Sequence, residues 1–179
     1  MKPGGGKGKG GNFEREQCRV LTEWVTGNRV PEIFWRSAAS GAKATQGRKK
    51  GEHSHMAGDL VAVDEQGYWF ADRFSVEFKF RKSYGELEQI FVGRNPIVMD
   101  WWKQTVRDAE AEDKIPLLVF KENQSPVYLG IPLPDACGVP CAGISRIDVR
   151  WFESRAMCMY NWQDWLNSMP ALILKRMVL

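Results

Sequence analysis

The chain has 179 residues, 44% of them hydrophobic, with eight tryptophans and a net charge of +3; that is enough for one packed domain with appendages and too little for several. No run of eighteen or more apolar residues occurs, which excludes a membrane-spanning helix of ordinary length. The opening Met1 to Gly10 lacks the apolar centre of a secretory signal, so a cytoplasmic location is expected, in keeping with four cysteines in a reduced compartment.

The charge is unevenly spread. Residues 1–50 hold eleven Lys/Arg against four Glu, a balance of +7 that leaves −4 for the rest. A basic amino-terminal part points to a polyanion partner, or else to a solubilising tail. Residues 1–11, rich in Gly and Lys, have little apolar surface to bury and are expected as a flexible leader. Over 13–26 the spacing predicts a helix, with Phe13, Gln17, Cys18, Val20, Leu21, Trp24 and Val25 on one broad face. Glu14 falls inside that arc and Glu16 outside it, with Arg15 and Arg19 opposite. Glu14 reads either as an acid aimed into a site or as one at the rim of the face, favoured in the first turn by the helix dipole. Gly27-Asn28 ends the helix.

Pro31 to Ser37 is a strand candidate, apolar at Ile33, Phe34 and Trp35. Residues 38–57 form a long polar connection carrying Lys43, Arg48, Lys49, Lys50, His53 and His55. A connection of that length is usually functional or disordered, and its charge makes it a candidate DNA-contacting loop, aided by Lys7 and Lys9 of the leader. His53 and His55 with Cys137 and Cys141 have ligand types suited to zinc; Cys137-Gly-Val-Pro-Cys141 also reads as a turn with two small half-buried side chains. Cys18 and Cys158 read as core.

Residues 58–63 read as a strand, 64–67 as a turn, and 68–72 and 74–80 as two further strands, with Arg81 and Lys82 at the exit. Asn95 caps a helix with Pro96 in its first turn. It runs to about residue 112, its apolar side formed by Ile97, Val98, Trp101, Trp102, Thr105, Val106 and Ala109; these tryptophans read as core. Strands at 115–120 and 127–131 complete a mixed sheet. Beyond Pro134 come a strand at 147–152, helical spacing at Trp162, Trp165, Leu166 and Met169, and an apolar tail, 171–179, that packs on the domain or lies in a subunit interface. The expected fold is α/β, a mixed central β-sheet flanked by helices. The chain divides into a leader (1–11), a core (12–132) carrying the basic loop 38–57, and a carboxyl-terminal extension (133–179).

The chemistry gathers on two strands. Along 75–80 side chains alternate, so Glu77 and Lys79 share one face while Val76, Phe78 and Phe80 share the other. An acid and a base on an otherwise apolar strand need pairing or a metal. Asp59 opens the preceding strand, where its carboxylate can lie beside Glu77. Two carboxylates suit a hard divalent cation, and a nearby lysine can lower the pKa of an attacking water or stabilise charge on phosphorus. Asp59, Glu77 and Lys79 therefore match a phosphodiester-cutting site, with Glu14 a fourth member on the adjoining helix. E-x-K alone is a weak signal, and the pair also reads as a structural ion pair.

The order of motifs sharpens this. Lys9-Gly10-Gly11-Asn12-Phe13-Glu14-Arg15-Glu16 resembles the K-G-x-x-x-E-R-E opening of archaeal-type Holliday junction resolvases. Arg36-Ser37-Ala38-Ala39-Ser40 resembles their R-x-x-G-S segment, Gly58-Asp59-Leu60-Val61-Ala62 their P-D-[IL]-V-A, and Val76-Glu77-Phe78-Lys79 their [IV]-E-V-K. The resemblance covers residues 9–80, with weaker similarity to about 121, and implies the mixed-sheet core of the PD-(D/E)xK nuclease superfamily. It implies Glu14, Asp59 and Glu77 as acidic, metal-holding residues, Lys79 as the catalytic lysine, Ser40 as a further site residue, and Arg15 and Arg36 as phosphate contacts. Lys121 corresponds weakly to a late basic residue. It also implies a homodimer that uses Mg²⁺ or Mn²⁺ to cut four-way DNA junctions. Three departures stand out. Ala39 replaces a glycine, Gly58 replaces the proline before the aspartate, and the Ser40–Asp59 connection is far longer, which with the small size suggests a phage or mobile-element relative. A less selective nuclease or restriction-type enzyme and a non-cutting DNA-binding relative remain the alternatives.

Overall fold

The computed structural model describes residues 5–37, 56–83, 89–90, 96–133, 146–149 and 156–178. The basic loop residues Lys43, Arg48, Lys49 and Lys50, together with Ser40, His53, His55, Cys137 and Cys141, lie outside the described residues.

The chain opens with helix α1 (Gly5–Thr26). It starts well before the helix expected from apolar spacing, so residues 5–11 are helical rather than part of a loose leader. Glycines disfavour a helix, but extending one already formed over 12–26 requires no new nucleus. Strands β1 (Phe34–Arg36), β2 (Met56–Ala57) and β3 (Leu60–Ala62) make a small antiparallel sheet of order β1-β3-β2. Helix α2 (Glu65–Arg73) then leads directly into strand β4 (Phe74–Arg81).

Helix α2 corrects the sequence reading, which expected a turn at 64–67 and a strand at 68–72. Asp64 is an N-cap whose side chain accepts a hydrogen bond from the Gln66 N–H at 2.9 Å, and Gly67, Trp69, Phe70 and Ala71 are buried. The run Tyr68-Trp69-Phe70 looks strand-like by propensity, and packing overrides it. A Cβ on Gly67 would stand 2.8 Å from the Phe34 ring, so this glycine lets the helix lie against β1.

The main sheet has five strands in the order β4-β5-β6-β8-β7. It adds β5 (Ile115–Glu122), β6 (Tyr128–Pro132), β7 (Arg146–Val149) and β8 (Met157–Asn161). Only β4 and β5 run parallel, joined by the crossover helix α3 (Pro96–Glu110); the other neighbours are antiparallel. A parallel pair needs such a crossover. The sheet therefore does not finish at β6 as the sequence suggested. The unpredicted β8 is buried at Met157, Cys158, Met159 and Tyr160, and a strand covered on both faces shows no polar alternation to read.

Helices cover both faces. Phe13, Cys18 and Leu21 of α1 share one core with Val76 and Phe78 of β4 and with residues of the two carboxyl-terminal helices, α4 (Trp162–Ser168) and α5 (Ala171–Val178). Val98 and Trp102 of α3 pack with Leu118, Phe120, Met157 and Met159 in a second core. The architecture is the expected mixed sheet flanked by helices. Trp102 is fully buried, in line with its reading as core. The Trp24 indole N–H donates to the Leu166 and Met169 carbonyls at 3.1 and 2.9 Å, fastening the carboxyl-terminal helices to α1. Trp162, Trp165 and Leu174 are thereby buried within the chain, whereas Leu172, Ile173 and Met177 remain exposed.

Candidate active site

The site forms where the small sheet meets the edge of the large one. Gly58 makes a parallel bridge to Val76, the Asp59 N–H donates to the Val76 carbonyl at 2.8 Å, and the Ser37 N–H donates to the Asp59 carbonyl at 2.7 Å. Gly58 has φ +64°, and a Cβ there would lie 2.4 Å from the Val76 carbonyl oxygen. Proline, fixed near φ −65°, cannot adopt this backbone. The Gly58-for-proline departure is thus a local requirement of this chain.

The backbone contacts aim the Asp59 side chain. Asp59 is only 7% exposed, and its Oδ2 accepts a hydrogen bond from the Phe78 N–H at 2.9 Å. Burial first, and then the neighbouring Glu77 carboxylate, push the Asp59 carboxyl up to about 7, against the lowering effect of the Phe78 N–H. Glu14 raises it further and Lys79 lowers it. Glu14, Asp59, Glu77 and Lys79 therefore share one electrostatic neighbourhood.

Glu77 and Lys79 lie on the α3 side of β4, in register with Leu118 and Phe120 of β5. Being on the edge strand, they stay partly open, their side chains 13% and 22% exposed. The Lys79 ammonium forms an ion pair with Glu77 Oε1. A third residue joins them, which the sequence reading missed. Gln104 of α3 accepts from Lys79 Nζ at 3.3 Å and donates from Nε2 to Glu77 Oε1 at 3.4 Å. Its sequence signal was slight, a polar side chain at the rim of the apolar arc beside Ile97 and Trp101.

Glu14 is turned inward as the helix phase predicts, its side chain 15% exposed, and it meets Arg36 Nε at 2.8 Å. Glu16 faces outward and pairs with Arg29 at 3.2 Å. The absence of a side chain at Gly11 makes room for Arg36, whose Nη1 would stand 3.3 Å from a Cβ there. Cys18 lies in the same region; burial, followed by Glu14, Glu32 and Asp59, pushes its thiol up to about 12, so it stays neutral.

Lys9, Arg15, Arg81 and Lys82 are exposed. Lys9 and Lys82 line one open groove of about 600 Å³ with Ser83, Glu122, Asn123 and Gln124, at the carboxyl ends of the parallel strands. Lys121 is partly buried on β5.

Asp59 and Glu77 supply hard oxygen donors, and the Asp59 carboxyl, raised by burial and then by the Glu77 carboxylate, is one whose charge a bound cation would favour. Both features fit a divalent cation. Among the described residues, no group of three or more His, Cys, Asp or Glu forms a ready-made cage. No described helix is long and apolar enough to cross a membrane.

A family model described as phage putative PDDEXK endonuclease matches residues 5–175, so its span takes in the carboxyl-terminal strands and helices as well as the site. No curated protein and no solved structure matches the chain.

Proposed function

The chain belongs to this family of phage PDDEXK endonucleases, and from that premise we propose that it is a Mg²⁺-dependent DNA endonuclease, with Mn²⁺ able to substitute, that nicks branched DNA such as four-way junctions as a homodimer in the host cytoplasm. The observation that carries the reading is the buried Asp59 carboxylate held beside Glu77, with Lys79 two residues along the same strand face.

Asp59 and Glu77 are the residues that would hold the cation, with Glu14 joining them if it leaves Arg36. When bound, a divalent cation supplies Lewis acidity: it lowers the pKa of a water and neutralises charge developing on phosphate oxygens. The chain's own groups do the rest. Asp59 is aimed by the Phe78 N–H and shielded from water by its burial. In this reading the Lys79 ammonium donates to the attacking water or to a phosphate oxygen. Arg15 and Arg36 come together beside Gly11, while Arg81 ends β4 and Lys82 lines a groove with Lys9; in this proposal these cations contact the DNA phosphates. Ser40, as a further site residue, and Lys43, Arg48, Lys49 and Lys50, as DNA contacts, complete the proposal. Junction selectivity is supported by the order of the four sequence motifs. The dimer is supported by substrate symmetry, because two matched nicks need two sites related by a two-fold axis; exposed Leu172, Ile173 and Met177 offer apolar surface for it.

The test is cleavage of a four-way junction, a Y-fork and plain duplex, each with Mg²⁺, Mn²⁺ or EDTA. Metal-dependent nicking that favours the junction is expected, lost in folded Asp59→Asn, Glu77→Gln and Lys79→Ala by about two or more orders of magnitude. Equal cutting of all three DNAs would select the less selective nuclease, and binding without cutting in every metal would select the non-cutting relative. Light scattering gives the mass, and mixed wild-type and Asp59→Asn dimers should nick one strand without resolving the junction. A monomer that makes paired nicks in one binding event would rule out the dimer.

A further inference from the structure

We propose that Gln104 is a positioning residue that holds the Lys79 ammonium in place when Glu77 is engaged elsewhere; the inference rests on the nuclease reading of the site. Without Gln104, Lys79 would have one partner in this group, Glu77, through their ion pair. A lysine has a long flexible stem, and a carboxylate that turns toward a cation no longer holds it. The second partner is on a different element. Gln104 Oε1 accepts from Lys79 Nζ at 3.3 Å, and Gln104 Nε2 donates to Glu77 Oε1 at 3.4 Å.

The chemistry of the primary amide suits this position. One neutral group accepts from an ammonium and donates to a carboxylate at once. The opposite amide orientation would set oxygen against carboxylate and NH₂ against ammonium. A Glu at 104 would repel Glu77, and a Lys would repel Lys79. Gln104 also rides on a fixed support: α3 is anchored by fully buried Val98 and Trp102, and neighbouring Thr105 is buried too. The lysine is therefore referenced to the helix and not only to the acid beside it.

The test compares wild type with Gln104→Met, which keeps length and removes both hydrogen bonds. Four readouts are taken: single-turnover cleavage in Mg²⁺, junction affinity in EDTA, melting temperature, and the Lys79 side-chain NMR signal in Mg²⁺ without DNA, where Glu77 is drawn to the cation, assigned by its loss in Lys79→Ala. Gln104→Met should cut on the order of 10- to 100-fold more slowly, with affinity and melting temperature unchanged. Its Lys79 signal should move toward that of a solvent-exposed lysine. In a Lys79→Arg background the same substitution should cost much less, because the group it positions is gone. Folded Gln104→Met that cuts within twofold of wild type while Lys79→Ala is inactive would overturn the proposal, as would an equal loss in the Lys79→Arg background. If Lys79→Ala itself cuts normally, the reading of the site fails; an unmoved Lys79 signal in Gln104→Met would then refute the positioning contact separately.

Discussion

The backbone N–H of Phe78 donates to Asp59 Oδ2 at 2.9 Å, so the acid is held by a strand on which it does not lie. β4 is the edge of the large sheet, and an edge strand has backbone groups left over for such partners. Asp59 uses two of them: its N–H reaches the Val76 carbonyl and its carboxylate the Phe78 N–H. Residues 58–59 thus act as a short extra strand that ends in a carboxylate.

That arrangement depends on Gly58. A side chain there meets a positive φ and the Val76 carbonyl oxygen at 2.4 Å. Gly58→Ala should lower stability by roughly 2 kcal/mol or more, and Gly58→Pro by more still, both measured by urea unfolding. Cutting per folded molecule should fall too, because the substitution displaces Asp59. An alanine variant as stable as wild type would contradict the backbone geometry.

The buried carboxyl carries a pH signature. The folded Asp59 carboxyl titrates near 7 against 3.8 for the free group, so between those values the folded state binds the extra proton. Stability from this group is fully present below about pH 4 and is lost as pH rises through 7. In EDTA, wild type should therefore lose stability relative to Asp59→Asn between pH 4 and 8. Mg²⁺ should restore it above pH 7 in wild type and not in the variant, by binding the folded state alone. Thermal melts across that range check both signs; parallel curves for the two proteins would mean that Asp59 titrates normally.

Helix α1 offers an internal control. Glu14 faces the site and Glu16 faces solvent, each paired with an arginine. Glu14→Gln should slow single-turnover cleavage at least tenfold, whereas Glu16→Gln should change it by less than twofold, as expected for an exposed ion pair. The reverse order would show that α1 presents Glu16 rather than Glu14 to the site and that the helix phase is misassigned.

Lys9 and Lys82 border one groove. If each contacts a phosphate, neutralising one should flatten the log–log dependence of DNA affinity on salt by about one unit, and neutralising both by about two. Neutralising Lys43, Arg48, Lys49 and Lys50 together should flatten it further. Titrations at several salt concentrations give the slope, and unchanged slopes would reduce these residues to solubilising charge.

The sequence alone determined which face several local elements present. Period-3.6 spacing put Glu14 inward and Glu16 outward, and period-2 alternation put Glu77 and Lys79 together, because both patterns depend only on bonds along the chain. It identified α3 and β5 for the same reason. It misread 68–72, where three successive aromatics carry strand propensity but a capping aspartate and contacts with β1 make a helix. It passed over β8, whose four buried residues show no alternation because the sheet's two faces are both covered. Only the tertiary structure decided what crosses between elements. It brought Asp59 to the Phe78 N–H, set Arg36 against Glu14, and placed Gln104 over the Glu77–Lys79 pair from a helix 25 residues beyond the lysine. Such contacts follow from how sheets and helices pack, which local spacing does not encode.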